Sequence, residues 1–172
     1  MQIRSARHDD AEQACEVVRR SITELCHADH RGDAPTLALW LANKTPDNMR
    51  RWIDQHCGFV ATDGAAIVGI AVLKRTGEII LNYVSPDARF HGVSEALIAR
   101  LEACACEHGI ETVTLQSSAT AIRFYLSTGY HSLGPPTQGF GVTLCHPMAK
   151  RLGEVLPLGA PHASNFEPAT PL

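Results

Sequence analysis

The chain has 172 residues and a net charge of −3, with 45% hydrophobic and 19% charged residues, as is typical of one globular domain with a sizeable core. The acidic balance provides no basic stripe, which argues against nucleic acid as a partner, and the longest apolar run, residues 65–73, is far shorter than the roughly 20 residues of a membrane span. The first residues lack the apolar segment of a secretory signal, so we expect a cytoplasmic protein that acts away from membranes.

The first third of the chain predicts one short strand followed by helices. Residues 3–6 favour the strand, and Asp9-Asp10 provide the N-cap of an amphipathic helix. Its apolar positions recur every three or four residues, at Ala11, Ala14, Val18, Ile22 and Leu25. A polar loop is expected over residues 26–35, and two short helices over residues 36–42 and 46–55. Thr45 is the expected cap of the second of these, with Pro46 in its first turn.

The middle of the chain predicts a three-stranded antiparallel meander. Residues 58–62 and 66–73 favour strands, and Asp63-Gly64 between them is a strong hairpin signal. Gly77 turns the chain into a third strand over residues 78–84, which Ser85-Pro86 ends.

A strand–helix–strand crossover and smaller elements follow. The helix begins after Arg89 and ends at Gly109, and residues 112–116 form the next strand. We further expect a short helix over residues 119–127 and a closing pair of strands over residues 130–133 and 140–144. The pattern predicts an α+β (mixed α/β) domain over residues 1–150, followed by a proline-rich C-terminal tail over residues 151–172.

The six cysteines are scattered without a C-x-x-C pair and are expected to be free thiols. Cys104 and Cys106 lie two apart on a predicted helix, so they point to different faces and do not predict a shared metal. The run from Cys26 to His30 has no second ligand pair with suitable spacing. We therefore expect no metal site.

The most informative segment is the turn between the strand 78–84 and the crossover helix. It places Arg89, Gly92 and Ser94 where the helix begins. Unpaired amides and the positive end of the helix dipole make such a turn an anion site, and an arginine can add a bidentate contact to phosphate. The residues of this turn do not match the motif of a dinucleotide-binding fold or of a P-loop, and the chain has no serine-hydrolase elbow.

The segment Arg89-Phe90-His91-Gly92-Val93-Ser94 resembles the R/Q-x-x-G-x-G/A loop of the GNAT superfamily of N-acetyltransferases, which wraps the pyrophosphate of acetyl-coenzyme A. The block from Ser118 to Tyr130 resembles the family's N-x-x-A-x-x-F-Y-x-x-x-G-F block, in the same order and context. The likeness covers roughly residues 3–148. Two positions depart from the pattern, because Ser94 replaces a glycine or alanine and Ser118 replaces an asparagine.

The resemblance implies a central, mostly antiparallel sheet and acetyl-CoA (coenzyme A) as cofactor. It implies cofactor contacts at residues of the strand, the loop and the later helix: Asn82, Tyr83, Val84, Arg89, Phe90, His91, Gly92, Val93, Ser94, Ser118, Ala121, Phe124 and Tyr125. Arg123 is a further candidate for the adenosine 3′-phosphate. Ser118 can still cap its helix, with a weaker contact to the pantetheine arm than asparagine would make.

The resemblance also implies catalytic roles. The backbone N–H of Asn82 would hold the thioester carbonyl, Val84 would pair with the pantetheine amide, and Tyr125 would protonate the departing sulfur. Glu78 matches the base glutamate of the histone-acetylating branch and would act through water. On a regular strand Glu78 and Asn82 share one face with Ile80.

The resemblance predicts direct transfer in a ternary complex to a small-molecule or peptide amine. The first helices would line the acceptor site, so His27, His30 and Trp40 are candidate substrate contacts. The chain leaves the oligomeric state open, and the closing strands or the tail offer an edge for a homodimer. Two other functions fit the fold. One is a catalytically silent acyl-CoA-binding module, and the other is a toxin acting on aminoacyl-tRNA, which the acidic balance disfavours.

Overall fold

The computed structural model describes residues 1–153 and has the predicted α+β class, with helices on both faces of an eight-stranded, mostly antiparallel sheet. The strands are β1 (Gln2–Ser5), β2 (Cys57–Asp63), β3 (Ala66–Leu73), β4 (Glu78–Val84), β5 (Thr112–Ser117), β6 (His131–Ser132), β7 (Thr137–Gln138) and β8 (Leu144–Arg151). The helices are α1 (Ala11–Arg20), α2 (His27–His30), α3 (Ala34–Leu41), α4 (Pro46–Gln55), α5 (Val93–Glu107) and α6 (Ile122–Ser127). The sheet order is β1-β2-β3-β4-β5-β8-β6, and β7 pairs with β8.

Strands β4 and β5 separate soon after they meet. They run parallel and pair only at Glu78 with Thr114 and at Ile79 with Leu115. Beyond that point β4 keeps its antiparallel partner β3, while β5 pairs along its whole length with β8. The sheet therefore has an opening between the carboxyl ends of β4 and β5, where the crossover helix α5 begins.

A β-bulge interrupts the alternation of side chains in β4. Val72 of β3 pairs with Leu81, but the next residue, Leu73, pairs with Ile79, so Ile80 is the extra residue. Leu81 belongs to the same core layer that Ile80 packs against, while Ile79 belongs to the opposite layer. The expectation that Glu78, Ile80 and Asn82 share one face was therefore wrong, because the bulge reverses the alternation between Glu78 and Asn82.

Two apolar layers hold the sheet. On one face α5 packs through Leu97 and Leu101 against side chains such as Phe59 and Val113. On the other face α1 and α4 pack through Val18 and Met49. Helix α5 lies very close to β3, because a Cβ added at Gly69 would be 2.8 Å from Val93 Cγ1 and 3.0 Å from Leu97 Cδ1. The start of α5 is thus seated directly on the sheet.

Most predicted elements are confirmed, and two are not. The bounds 46–55, 66–73 and 78–84 agree with the structure, and Thr45 Oγ1 accepts the Asn48 N–H at 3.3 Å. The expected loop 26–35 contains α2 and the start of α3. The expected strand 140–144 is wrong, because residues 140–143 form a turn and the long strand is β8. The sequence did not predict β8 because Pro147, which has no N–H to donate to a neighbouring strand, lies in its middle. The predicted tail lies outside the described residues from 154 onward.

Candidate active site

Two cavities meet at the opening between β4 and β5. The loop cavity, of about 640 Å³, extends toward the turn before α5, and the aromatic cavity, of about 260 Å³, extends toward α3 and the turn at Phe140. The residues that line both cavities are Asn82, Tyr83, Ser118, Ala121 and Tyr125. Two molecules bound in the two cavities would therefore touch beside these side chains.

The loop cavity ends at the N-terminus of α5. Gly92 caps the helix with a φ of +73°, and a Cβ there would have no described neighbour within 4 Å. The Ala96 N–H bonds to the Gly92 carbonyl at 3.0 Å, so the amides before Ala96 have no intrahelical acceptor. This fifteen-residue helix thus points free N–H groups and its positive end at an open surface. Such a surface suits an anion.

The predicted cofactor residues largely converge on the loop cavity. Its lining includes Val84, Arg89, Phe90, Gly92, Val93, Ser94, Arg123 and Phe124. Phe90 has a left-handed φ of +65° and is 88% exposed, with the Arg89 guanidinium 4.5 Å from its ring centre. His91 belongs to the turn but does not line the cavity. The arrangement offers backbone amides and two guanidinium groups to a phosphate.

The backbone of β4 turns polar groups into the opening. The Ser85 N–H bonds to Val68 O on the β3 side at 2.8 Å. Because successive amides of a strand point to alternate edges, the Val84 and Asn82 N–H groups point away from β3, toward the opening. These are the two amides that the sequence assigned to a cofactor.

Asn82 and Tyr125 form the polar centre of the site. Asn82 Nδ2 donates to the Tyr125 hydroxyl at 3.3 Å, and Asn82 Oδ1 is buried without a hydrogen-bond partner in residues 1–153. Burial raises the pKa of Tyr125 to about 12, although its bond to Asn82 acts in the opposite direction. The phenol is therefore protonated at neutral pH and is available as a proton donor.

Asp29 holds the helical segment that carries Tyr125. Its carboxylate, 4% exposed, accepts the N–H of Ala119 at 2.6 Å and that of Thr120 at 3.2 Å, and also the Thr120 hydroxyl. The side chain of Ser118 makes no capping bond, so its expected role as a cap is wrong. Sequence reasoning missed Asp29 because its partners lie 90 and 91 residues away.

The aromatic cavity has a buried lysine beside stacked rings. Trp40 and Phe140 stack with ring centres 6.2 Å apart, and Lys44 Nζ lies 5.8 Å from the Phe140 centre. Lys44 is 6% exposed and bonds to Asn43 Oδ1 at 2.6 Å, and no carboxylate of residues 1–153 lies within 4 Å of it. Burial lowers the pKa of Lys44 to about 8. The cavity therefore contains a cation without a counter-ion, which the sequence did not reveal.

Of the three residues expected to contact an acceptor, the structure brings only Trp40 into the site. His30 is 3% exposed, and its Nδ1 accepts the Gly32 N–H at 3.1 Å. His27 packs edge-on against the His30 ring at 5.3 Å. Neither histidine lines either cavity, and both contribute to the turn around α2.

Glu78 also lies apart from the site. It is at the closed end of the β4–β5 pair, where its carboxylate forms a 2.6 Å ion pair with Lys74, and it lines neither cavity. No aspartate or glutamate lines the aromatic cavity. The structure does not bring Glu78 together with Tyr125.

Comparisons with known proteins agree with this geometry. A protein-family model described as acetyltransferase (GNAT) domain matches residues 28–152. A comparison with curated protein sequences finds no significant match. No helix within residues 1–153 combines the length and apolar character needed to cross a bilayer.

Three solved structures illustrate the similarity. A GCN5-related N-acetyltransferase from Rhodopseudomonas palustris has 24% identity and a TM-score of 0.79, covering 88% of this chain and 95% of its own. The PaiA N-acetyltransferase from Thermoplasma acidophilum, solved with coenzyme A, has 18% identity and a TM-score of 0.73, with 88% and 98% covered. A ribosomal-protein-alanine N-acetyltransferase from Brucella melitensis has 20% identity and a TM-score of 0.69, with 88% and 100% covered.

Proposed function

Because the chain belongs to the GNAT family of acetyltransferases, we propose that it transfers an acetyl group from acetyl-CoA to a primary amine. The observation that carries this proposal is the meeting of the loop cavity and the aromatic cavity beside Asn82 and Tyr125. A donor in the first and an acceptor in the second would place the thioester and the amine together.

Acetyl-CoA is the cofactor, and the loop cavity is its proposed site. The free amides at the start of α5 would hold the pyrophosphate, with Arg89 as an additional cation. The pantetheine arm would run along β4, where the Val84 N–H is directed into the opening. In this position the arm would take the place beside β4 that β5 leaves once the two strands separate beyond Ile79 and Leu115.

The reaction is a direct acyl transfer. The amine nitrogen attacks the thioester carbonyl carbon, the C–S bond breaks, and an amide forms. The Asn82 N–H donates a hydrogen bond to the carbonyl oxygen as negative charge develops on it, and Tyr125 gives its phenolic proton to the departing sulfur. The attacking nitrogen loses a second proton to solvent as the amide forms, and Tyr125 recovers a proton from solvent, so the products are CoA thiol and the acetylated amine.

The cysteines near the site favour direct transfer over a covalent acetyl-enzyme. Cys26 lines the loop cavity and Cys145 lines the aromatic cavity. Burial raises the pKa of Cys26 to about 12 and also raises that of Cys145. Both are neutral thiols at physiological pH, and the thiolate is the nucleophilic form.

The aromatic cavity indicates which amines fit. The Trp40 and Phe140 rings form a flat apolar wall, and the buried Lys44 ammonium has no carboxylate partner within residues 1–153. An acceptor with a carboxylate or phosphate near its amine would supply that partner. The similar protein from Brucella melitensis is named a ribosomal-protein-alanine N-acetyltransferase, so a peptide amine is one of the acceptors to test.

Glu78 stays a prediction as general base. Its ion pair with Lys74 and its place at the closed end of the sheet argue against a direct role. Since no carboxylate lines the aromatic cavity, we propose that the amine loses its proton to solvent before it attacks. The predicted homodimer and cytoplasmic location likewise stay predictions.

Titration calorimetry with acetyl-CoA tests the donor site, with Gly92→Asp and Gly92→Asn as a matched pair. Both side chains tolerate the left-handed backbone at Gly92, so the pair differs in charge alone. Wild type is expected to bind, and the aspartate variant is expected to bind at least tenfold more weakly than the asparagine variant. Equal binding by the two variants would refute the phosphate site.

Release of CoA thiol across a panel of amines tests transfer itself. Turnover by wild type that is lost or strongly reduced in Tyr125→Phe would support the acetyltransferase. Binding of acetyl-CoA with no turnover for small amines, amino acids or N-terminal peptides would instead support the silent acyl-CoA-binding module.

A further inference from the structure

A cluster of three metal-binding side chains lies at the end of α5 far from the two cavities. Cys57 begins β2, and Cys104 and His108 lie one turn apart at the end of the helix. One ligand atom from each lies within 4.8 Å of the other two, and Cys104 Sγ is 3.7 Å from His108 Nδ1. It is the one such group of three histidine, cysteine or acidic residues found within residues 1–153.

The spacing of the donor atoms fits a zinc-class cation. With Zn–S bonds of about 2.3 Å and Zn–N bonds of about 2.0 Å, tetrahedral ligands are roughly 3.5–3.8 Å apart. The observed separation of Cys104 Sγ and His108 Nδ1 lies in this range. Small side-chain rotations would bring Cys57 Sγ to the same distance from both. Two thiolates and an imidazole are a donor set that favours zinc over calcium or magnesium.

The fold creates this cluster from residues that the sequence keeps apart. Cys104 and Cys106 do point to different sides, as expected, since Cys104 is buried and Cys106 is not. The second thiol comes instead from Cys57, because β2 packs beneath α5. His108 is exposed, so the cluster opens to solvent on one side.

We propose that Cys57, Cys104 and His108 bind one zinc-class divalent cation, with solvent as the fourth ligand. Binding releases the two thiol protons. It also moves the imidazole proton to Nε2, because Nδ1 now donates to the Cys104 carbonyl at 2.8 Å and must be free to bind the metal. The loss of that hydrogen bond makes this a site of moderate affinity.

The cation would fasten the end of α5 to the start of β2. The fifteen residues of α5 span about 22 Å at 1.5 Å per residue, so this end is remote from the turn that receives acetyl-CoA. The proposed role is therefore structural. Saturating zinc is expected to raise the unfolding temperature, since a cation that binds the folded state stabilises it by mass action.

The test uses the full chain without a polyhistidine tag. Wild type is loaded with zinc, dialysed and assayed for metal per chain, and its zinc affinity is measured by competition with a chromophoric chelator. We expect one zinc per chain, and an ultraviolet thiolate-to-metal band when cadmium replaces zinc. Cys57→Ser and His108→Asn are each expected to weaken zinc binding at least tenfold, while Cys106→Ser on the same helix leaves it unchanged.

Circular dichroism confirms that each variant is folded. His108→Asn is the most informative variant because the imidazole is exposed, so its loss leaves the core intact. The proposal is overturned if folded wild type holds no zinc after dialysis, or if Cys57→Ser and His108→Asn bind zinc as tightly as wild type does. The first result would mean no site, and the second would mean zinc bound by other thiols.

Discussion

Asp29 and Thr120 lie 91 residues apart in the chain, yet the Asp29 carboxylate accepts both the backbone N–H and the side-chain hydroxyl of Thr120. Asp29 belongs to the short helix α2, and Thr120 belongs to the helical turn that leads into α6. The position of Tyr125, the proposed proton donor of the site, therefore depends on a residue that is distant in the sequence but in direct contact in the fold.

Replacing Asp29 should disturb both stability and catalysis. Asp29→Ala leaves the Ala119 and Thr120 N–H groups without their buried acceptor, which we expect to reduce the free energy of unfolding by about 1–3 kcal/mol. It should also lower kcat, because α6 is no longer held. Denaturant titration and steady-state kinetics measure the two effects. Asp29→Asn retains one acceptor oxygen, so its stability and its kcat should lie between those of wild type and Asp29→Ala. A kcat equal to that of wild type in Asp29→Ala would show that the Asp29 cap does not affect catalysis.

Tyr125→Phe should reduce kcat with little effect on acetyl-CoA affinity. The departing thiol is a good leaving group, so we expect a loss of about 10- to 100-fold, at the low end of the range for general acids. Because the pKa of Tyr125 is raised to about 12, wild-type activity should show no loss from phenol ionisation up to about pH 10. A pH–rate profile checks this, and a fall in kcat centred near pH 10 that is absent in Tyr125→Phe would contradict the raised pKa of Tyr125.

Glu78→Gln should change kcat by no more than about twofold. The carboxylate lines neither cavity, and its ion pair with Lys74 is half-exposed, a kind of pair that contributes about 0–1 kcal/mol to stability. The measurement is kcat as a function of pH, with Lys74→Met as the matched control for the ion pair. A strongly reduced kcat in Glu78→Gln alone, with loss of the acidic limb in which activity rises as a base loses its proton, would restore Glu78 as the base.

Lys44 should make the stability of the protein rise with pH above neutrality. Its pKa is about 8 in the folded state and 10.5 when unperturbed, so between these values the unfolded chain binds more protons than the folded one. Stability therefore rises from pH 8 to pH 10.5, by on the order of 2 kcal/mol from this residue. Denaturant titrations of wild type and Lys44→Met at several pH values isolate the effect, which should be absent in the variant.

The same lysine should discriminate between acceptors. Lys44→Met is expected to raise KM for an amine that bears a carboxylate by tenfold or more, and to leave KM for its neutral amide analogue nearly unchanged. Lys44→Arg keeps the charge and serves as control. An equal change for both acceptors would show that Lys44 supports the wall of the cavity without recognising an anion.

Gly69→Ala should destabilise the domain by about 1–3 kcal/mol, because the new methyl group would lie 2.8 Å from Val93 Cγ1, at the first turn of α5. The strain acts on the turn that receives the phosphates, so acetyl-CoA affinity should also fall. Gly134→Ala, at a position with no described neighbour within 4 Å, is the control. Thermal unfolding and calorimetry provide both readouts, and equal stability of the two variants would refute the close packing.

Local signals account for the elements that the sequence located well. Thr45-Pro46, Asp63-Gly64 and Gly92 act within a few residues of themselves, so the helix α4, the β2–β3 hairpin and the turn before α5 follow from short-range chemistry. The family-like loop and the position of Tyr125 belong to the same class, because both are contiguous patterns. The residues assigned to the loop cavity on this basis lie in it, with the exception of His91.

Structural features that depend on contacts between residues far apart in the chain could not be predicted from the sequence. The bulge at Ile80 arises from the register with β3, and it removed Glu78 from the face of Asn82. Asp29 became a cap only through α2 packing on the turn before α6. Lys44 and Phe140 met because the turn at residues 139–143 folds back onto α3, where the Val142 N–H bonds to Thr36 Oγ1 at 3.0 Å. Each of these contacts joins segments with no shared sequence pattern.

The early separation of β4 from β5 limits which molecules can pair with the free edge of β4. An unpaired strand edge at the rim of a sheet is a template for aggregation, because a strand of any length can align along it. Here the unpaired edge lies inside the sheet, closed at one end by the Ile79–Leu115 pair and bounded by β8 behind β5. An extended amide-bearing molecule about as long as residues 80–84, roughly 16 Å at 3.3 Å per residue, fits along this edge. The opening therefore selects a ligand arm by its length, and it leaves this edge of β4 inside the sheet and not at the rim, where another chain could align.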